Sequence, residues 1–341
     1  MPTPVNINEF LKLSETHPII DVRTSAEFEQ GHIPGAVNLP LFTNEERKII
    51  GTIYKQEGKQ PAVLKGLELV GPRLHEFIIE ANKINNSGIF LLHCWRGGMR
   101  SASMAWLFEV YGFKCFTLKG GYKNFRRNVL DSFNEQKNIV ILGGRTGSGK
   151  TLVLQELSKQ GEQIIDLEKL AHHKGSSFGA LGEEKQLSQE QFENELWYQF
   201  SKIDIQKQCW LEDESRKIGR NILPDGLWEQ MRNAKVMFLD LAIEARVNYL
   251  VNEYGKFTRA ELTSAIDRIS RRLGGLNTKL ALEAIVNGDL KTACEISLSY
   301  YDKTYGYGMS QREKEKIVFF SFDKLNESEI TNELLKWKKL N

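Results

Sequence analysis

Residues 144 to 151 read GRTGSGKT and follow an apolar run over Asn138–Leu142. A glycine, four residues and then Gly-Lys-Thr is a phosphate-binding loop when a strand precedes it and a helix follows. The glycines let the backbone N–H groups of Gly144, Arg145, Thr146, Gly147, Ser148 and Gly149 curl round a phosphate chain, and the next helix adds its dipole. Lys150 then reaches the terminal phosphates, and the Thr151 hydroxyl is placed for magnesium where the ligand brings one. No feature narrows the fold more, because strand, loop and helix in that order belong to a parallel α/β sheet.

The residues that follow agree with this. Apolar runs at Gln163–Leu167, Gln208–Leu211, Val236–Leu241 and Ile317–Phe322 read as further short strands, and Arg259–Tyr301 reads as helical throughout. Residues 138–341 are therefore expected to form a P-loop NTPase-like parallel α/β domain with a helical C-terminal region. Asp166 closes its second strand. The polar segment Leu170–Gly179 comes next and offers His172, His173, Ser176 and Ser177 as a candidate substrate loop. Adjacent histidines face different ways and no third ligand is evident, so no metal centre is expected there. The run Gln208–Leu211 leads into Glu212-Asp213-Glu214. Glu212 or Asp213 suits a metal-bound water beside the loop, with a solvated acidic turn as the alternative. Arg268, Arg271 and Arg272 share a helix face by their spacing, either to close over phosphates or RNA or as a solvated stripe.

The first half holds a second strand-loop-helix unit. Pro18–Val22, Ile89–His93 and Lys114–Leu118 read as strands, and Ala102–Tyr111 has apolar residues at helical spacing. Cys94 thus sits at the carboxyl end of a strand, where open α/β sheets place ligands. Gly97 and Gly98 let the loop turn its N–H groups inward as an anion nest. Those groups, the helix N-terminus and Arg96 or Arg100 favour the thiolate, the reactive form of cysteine. Cys94, Arg96 and Arg100 are the candidate catalytic residues. A buried structural cysteine is the plain alternative. Cysteine, five residues and arginine is also the spacing of cysteine-dependent phosphatases, which His93 and Ser101 fit too, but that chemistry needs a general acid as well. Cys115, Cys209 and Cys294 lack such loops and read as structural. The polar stretch Val129–Asn138 separates the halves, leaving residues 1–130 to the first domain.

At 341 residues, 41% of them apolar, the chain has material for two cores. A formal net charge of +2 neither demands nor excludes nucleic acid, so a basic groove would have to be assembled from residues such as Lys119, Lys123, Arg126 and Arg127. The four cysteines form no CxxC pair, which points to a reducing compartment. The start, MPTPVNINEFLKL, lacks a signal-peptide pattern, and no run approaches the ~20 apolar residues that span a membrane. A cytoplasmic chain with no membrane partner is expected.

Asp21-Val22-Arg23, Glu27-Phe28, GHIPGAVNLP (Gly31–Pro40), the Cys94 loop and LKGGY (Leu118–Tyr122) resemble a rhodanese domain in order and spacing. That resemblance implies a cysteine that accepts sulfur or selenium as a persulfide or perselenide, with Asp21 as scaffold. Such a domain followed by a P-loop domain is an uncommon pairing. With HCWRGGMRS, GGRTGSGKT, DLEKLAHHKGSSFG, WLEDESRKIG and the insertion Glu45–Val70, the chain is similar to the tRNA 2-selenouridine synthase family from about Ile19 to Tyr307. The resemblance implies exchange of the sulfur of wobble 2-thiouridine in tRNA for selenium from selenophosphate, through an S-geranyl intermediate made with geranyl diphosphate. It places the rhodanese cysteine at Cys94 and the P-loop at Gly144–Thr151. The loop is then expected to hold the donor's diphosphate. The selenophosphate-producing enzyme is an optional further partner, and magnesium an optional ion. The alternative from another class is a P-loop nucleotide kinase or ATPase with a rhodanese sulfur-relay or phosphatase-like module.

Overall fold

The computed structural model describes residues 2–85 and 87–340; Met1 and Asn341, the outer ends of the two expected domains, lie outside them. The chain divides into two compact units. One runs to Ser132 and includes Glu193–Tyr198; the other comprises Phe133–Phe192 and the chain from Gln199 onward.

The first unit has five parallel strands: β1 (Thr3–Val5), β2 (Ile19–Asp21), β3 (Val37–Asn38), β4 (Ile89–His93) and β5 (Lys114–Leu118), in the order β1-β5-β4-β2-β3. Phe90, Leu91 and Leu92 of β4 are wholly buried, as befits the middle of a sheet covered on both faces. Phe77 and Ala81 from the helix Leu74–Ile84 and Met104 and Phe108 from the helix Met99–Tyr111 complete this core. Full burial of a side chain such as Phe90 is worth about 1.5–3 kcal/mol. The insertion Glu45–Val70 folds into the helices Asn44–Gln56 and Lys59–Val70, the first opening on a capping box of Thr43 and Glu46.

Two local expectations shift. The helix read from Ala102 begins at Met99, with Gly98 as its N-cap, so Arg100 and Ser101 belong to its first turn. The stretch Val129–Asn138, polar by composition, is helical as far as Ser132 because Val129 and Phe133 are apolar and buried beneath their polar neighbours.

The second unit is also a parallel sheet, in the order β12-β11-β6-β8-β7. Its strands are β6 (Ile139–Gly144), β7 (Gln163–Ile165), β8 (Cys209–Glu212), β11 (Lys235–Leu241) and β12 (Ile317–Phe322), while β9 (Lys217–Ile218) and β10 (Asn221–Ile222) form a small antiparallel pair. Leu142 lies opposite Glu212 and Gly144 opposite Leu239, so the carboxyl ends of β6, β8 and β11 meet beside GRTGSGKT. Chain order reverses across β6, which is where open α/β sheets bind ligands.

The region Arg259–Tyr301, expected to be helical throughout, is formed by three helices: Arg259–Leu273, Gly275–Asn287 and Leu290–Ser310. The breaks fall at Gly274 (φ 89°) and Gly288 (φ 81°), where positive φ ends a helix. The three helices turn Leu262, Ile266, Ala281, Ile285 and Ala293 onto one another as a separate core. Among the described residues no helix is long and apolar enough to cross a membrane.

Candidate active sites

Cys94 follows the last residue of β4 and is 3% exposed. The Gly98 amide donates to its Sγ at 3.3 Å, and Ser101 Oγ lies at 3.3 Å on the other side. The loop is held by the segment after β5: Tyr122 N donates to Cys94 O and Lys123 N to Trp95 O, both at 2.9 Å. This interleaving explains the paired glycines. Gly97 and Gly121 both have positive φ, and a Cβ on Gly121 would stand 2.3 Å from Cys94 O and from Gly97 N.

Burial opposes ionisation of Cys94, but the hydrogen bonds from Ser101 and Gly98 and the charge of Arg100 outweigh it and hold the thiol below its ordinary value. Burial pushes Cys115, Cys209 and Cys294 up to about 12. Only Cys94 of the four has its thiol pKa lowered; the other three are raised.

The arginines of the loop differ in placement. Arg100 donates to both oxygens of Glu27, at 2.7 and 3.2 Å, so its charge reaches the sulfur partly neutralised. Arg96 is exposed on the loop surface. Beneath the loop, buried Arg23 grips Asp21 through Nε and Nη2 (3.0 and 2.6 Å), donates to Gly31 O at 2.6 Å, and lies 3.8 Å over the Tyr122 ring. Burial works against the charges of Asp21 and Glu27, yet His93 and Arg23 around the first and Arg100 and the Thr24 amide at the second leave both below the usual carboxylate range. A phosphatase acid needs the opposite shift. His93 is wholly buried, and burial holds it near 4 despite Asp21, so it is neutral at pH 7.

In the second unit, GRTGSGKT joins β6 to the helix Lys150–Lys159. Lys150 Nζ donates to Gly144 O at 3.1 Å. Arg145 pairs with Asp240 at 2.7 Å, and Thr146 O accepts from buried Arg246, itself bidentate to Asp302. Gly147 is faced by Leu250. Ser148 Oγ is buried without a hydrogen-bond partner among the described residues, and Gly149 caps the helix.

The acidic candidates separate. Asp213 is engaged on both oxygens, by Arg312 at 2.6 Å and by the Tyr305 hydroxyl at 2.7 Å. The same hydroxyl accepts from Gly144 N at 3.0 Å, so Asp213 braces the phosphate loop from behind. Glu212 is wholly buried and accepts from Glu168 N at 2.7 Å. Burial, together with Asp166, Glu168 and Glu214, pushes Glu212 well above the usual carboxylate range. Burial also raises Asp166, which caps the helix Leu167–Ala171, and Glu168, whose Oε2 accepts from Thr151 Oγ1 at 3.1 Å. Glu168 and Glu214 thus join the acids expected beside the loop.

The substrate-loop candidates divide too. His172 ends its helix at φ 48° and sets its Nδ1 3.2 Å from Lys185 O, whereas His173 lines the cleft, held below its ordinary value by burial and by Arg268. Ser177 is tied to Ala265 O at 2.6 Å, and Ser176 Oγ accepts from Phe178 N at 3.1 Å. Arg268 and Arg272 face the cleft, but Arg271 lines a shallow hollow elsewhere, so the expected triplet is a pair. The whole cleft measures about 1500 Å³ and reaches from Lys150 and Thr151 past Asp166 to Arg220 and Arg232. Arg126, half-buried, is paired with Glu193, while Lys119, Lys123 and Arg127 are exposed.

Arg23 and Glu27 lie in segments that carry the rhodanese resemblance, but their roles beside the loop were not expected, and Arg246, Tyr305 and Arg312 lie in no motif. Glu27 meets Arg100 from 73 residues away and Tyr305 meets Gly144 from 161.

A family model described as the tRNA 2-selenouridine synthase AAA domain matches residues 137–334. The chain belongs to that family. A rhodanese-like domain model matches residues 6–128, so the cysteine loop and the phosphate loop fall in separately matched domains. Among solved structures, the N-terminal domain of a candidate ATP/GTP binding protein from Clostridium difficile 630 is similar at 39% identity, over 38% of this chain and 99% of that one, with a TM-score of 0.36. A rhodanese-related protein from Thermoplasma volcanium is similar at 16% identity, over 37% of this chain and 92% of that one, with a TM-score of 0.22. A tRNA 2-selenouridine synthase family member is an enzyme acting on tRNA.

Proposed function

We propose that this chain converts wobble 2-thiouridine in tRNA to 2-selenouridine with selenophosphate, through an S-geranyl intermediate made from geranyl diphosphate. The observation that carries the reading is the setting of Cys94, a sulfur held by the Gly98 amide and the Ser101 hydroxyl at the end of β4, on a chain whose other half belongs to the tRNA 2-selenouridine synthase family.

The steps balance as follows. The thiocarbonyl sulfur of the base attacks C1 of geranyl diphosphate; the S–C bond forms, the C–O bond breaks and diphosphate leaves. The amides of Gly144–Thr151, with Lys150, hold the charge that develops on that leaving group. Alkylated sulfur is then a thiol leaving group that selenide displaces at C2. Selenium enters at the selenide level, so a perselenide on Cys94 would need a two-electron oxidant. Attack of the Cys94 thiolate on phosphorus needs none: the S–P bond forms, the Se–P bond breaks, the hydroselenide anion departs with the bond's electron pair, and water later clears the phosphate. Hydrogen selenide is acidic enough to leave without a proton donor, which suits a loop whose neighbours Asp21 and Glu27 are held ionised.

Magnesium fits this site in one way only. Among the described residues no group of three or more His, Cys, Asp or Glu side chains is arranged to hold a metal. A magnesium that travels with phosphates needs only one or two side chains, and Thr151 with Glu168 supply them. Its chemistry there is to neutralise phosphate charge.

Cys94→Ser supplied with S-geranyl RNA and selenophosphate is expected to make no selenouridine. Normal selenation by that variant rejects the role given to Cys94.

A further inference from the structure

The phosphate loop borders two spaces. Next to the polar cleft lies an apolar pocket of about 70 Å³ among the helices Ile243–Tyr254, Arg259–Leu273 and Leu290–Ser310, walled by Val251, Leu262, Ile266, Cys294 and Leu298. Thr146, Ser176, Leu250, Tyr254 and Tyr301 line both spaces, so the pocket opens where the loop would hold a phosphate. Leu250 stands at that mouth, in contact distance of Gly147.

The chemistry of the wall selects the occupant. Of the five hydroxyl residues in it, Thr146, Ser176, Tyr254, Ser297 and Tyr301, Ser297 donates to Ala293 O at 2.7 Å, Ser176 Oγ accepts from Phe178 N and the Tyr301 hydroxyl accepts from Ser177 N. A nucleotide base would bring ring nitrogens and amino groups into a space that cannot satisfy them, and burying such groups unpaired is costly. A hydrocarbon chain asks for nothing the wall lacks. By the measure in which one water needs about 10–15 Å³, the pocket of about 70 Å³ has room for roughly five to seven carbon-sized groups, a short chain. An apolar hollow left empty in a core weakens it, so a filler stabilises the three-helix region as it binds.

We propose that this pocket receives the hydrocarbon tail of the prenyl diphosphate donor while Gly144–Thr151 holds its head. The assignment rests on the reading that the loop binds geranyl diphosphate. It explains how a motif shared with nucleotide-binding proteins can prefer a prenyl donor, since the selection lies in the apolar wall and the loop need not differ.

The test uses the full chain and calorimetric binding of inorganic diphosphate and of dimethylallyl, geranyl and geranylgeranyl diphosphates. In the wild type, affinity is expected to rise from inorganic to dimethylallyl to geranyl diphosphate and to fall for geranylgeranyl. Cys294→Phe and Val251→Phe, which fill the pocket from different helices, are expected to weaken geranyl diphosphate by about tenfold or more, the affinity of several buried methylenes. Inorganic diphosphate should stay within about twofold of wild type, since the loop is unaltered. Variants that bind both ligands like the wild type overturn the tail assignment and leave the loop reading standing. If neither variant folds, the wild-type series decides, and an affinity indifferent to chain length overturns the proposal. Geranyl diphosphate that inorganic diphosphate cannot displace overturns the loop reading itself, and the tail site with it.

Discussion

At Cys94 three short contacts compete with burial, and their sum decides whether the chain has a thiol or a thiolate at work. Burial is the largest cause that takes the other three cysteines to about 12. The largest opposing contribution comes from Ser101, ahead of the Gly98 amide and Arg100. Ser101→Ala is therefore expected to move the pH midpoint of Cys94 alkylation upward, measured as iodoacetamide reaction rate against pH; an unmoved midpoint would assign the thiolate to the helix N-terminus alone. The sequence showed Cys94, Arg100 and Ser101 because they lie within one turn of loop and helix. It did not show that Arg100 is shared with Glu27, nor that Arg23 grips Asp21 and stacks on Tyr122, because pairings of this kind are made by the fold and cannot be read from the residues one at a time. The same holds in the phosphate loop. Every residue of GRTGSGKT is contiguous and legible, while Tyr305 and Arg312, which fix Asp213, arrive from the far end of the chain.

Elements obey the same division between local and distant causes. Strand β4 lies where its continuous apolar run places it, because a buried parallel strand needs little more than that run. The three helices of 259–310 were hidden by a periodicity that persists across Gly274 and Gly288; only the glycines marked the reversals. Interlocking of the Cys94 loop with the segment after β5 depends on Gly121 in the same way. Gly121→Ala adds a Cβ 2.3 Å from two backbone atoms at φ 59°, and is expected to cost about 1–3 kcal/mol or more by thermal or chemical denaturation. A loss under about 0.5 kcal/mol, within the range of ordinary surface substitutions, contradicts the interlock.

Across the whole chain, one group of carboxylates in each unit responds to pH, and the two have opposite sign. Asp21 and Glu27 in the first have lowered folded values, so their stabilisation is present above the unfolded values near 4 and is lost as pH falls through the folded ones. Asp166, Glu168, Glu212 and Glu214 in the second have raised values. That cluster costs stability at high pH and regains it as pH falls through the folded values toward the unfolded ones. Glu212→Gln, which mimics the protonated acid, should raise the melting temperature more at about pH 9 than at about pH 5. An equal change at both would show that the cluster shares no protons.

The proposed function has both sites act on one base, and that is its central claim. The decisive measurement is mass spectrometry of nucleosides from 2-thiouridine RNA incubated with the protein, geranyl diphosphate and selenophosphate, with each donor omitted in turn. S-geranyl-2-thiouridine should accumulate without selenophosphate, and 2-selenouridine should form only with both donors. Unmodified 2-thiouridine in the complete mixture, alongside nucleoside triphosphate turnover without RNA, would contradict the account and favour a P-loop kinase or ATPase.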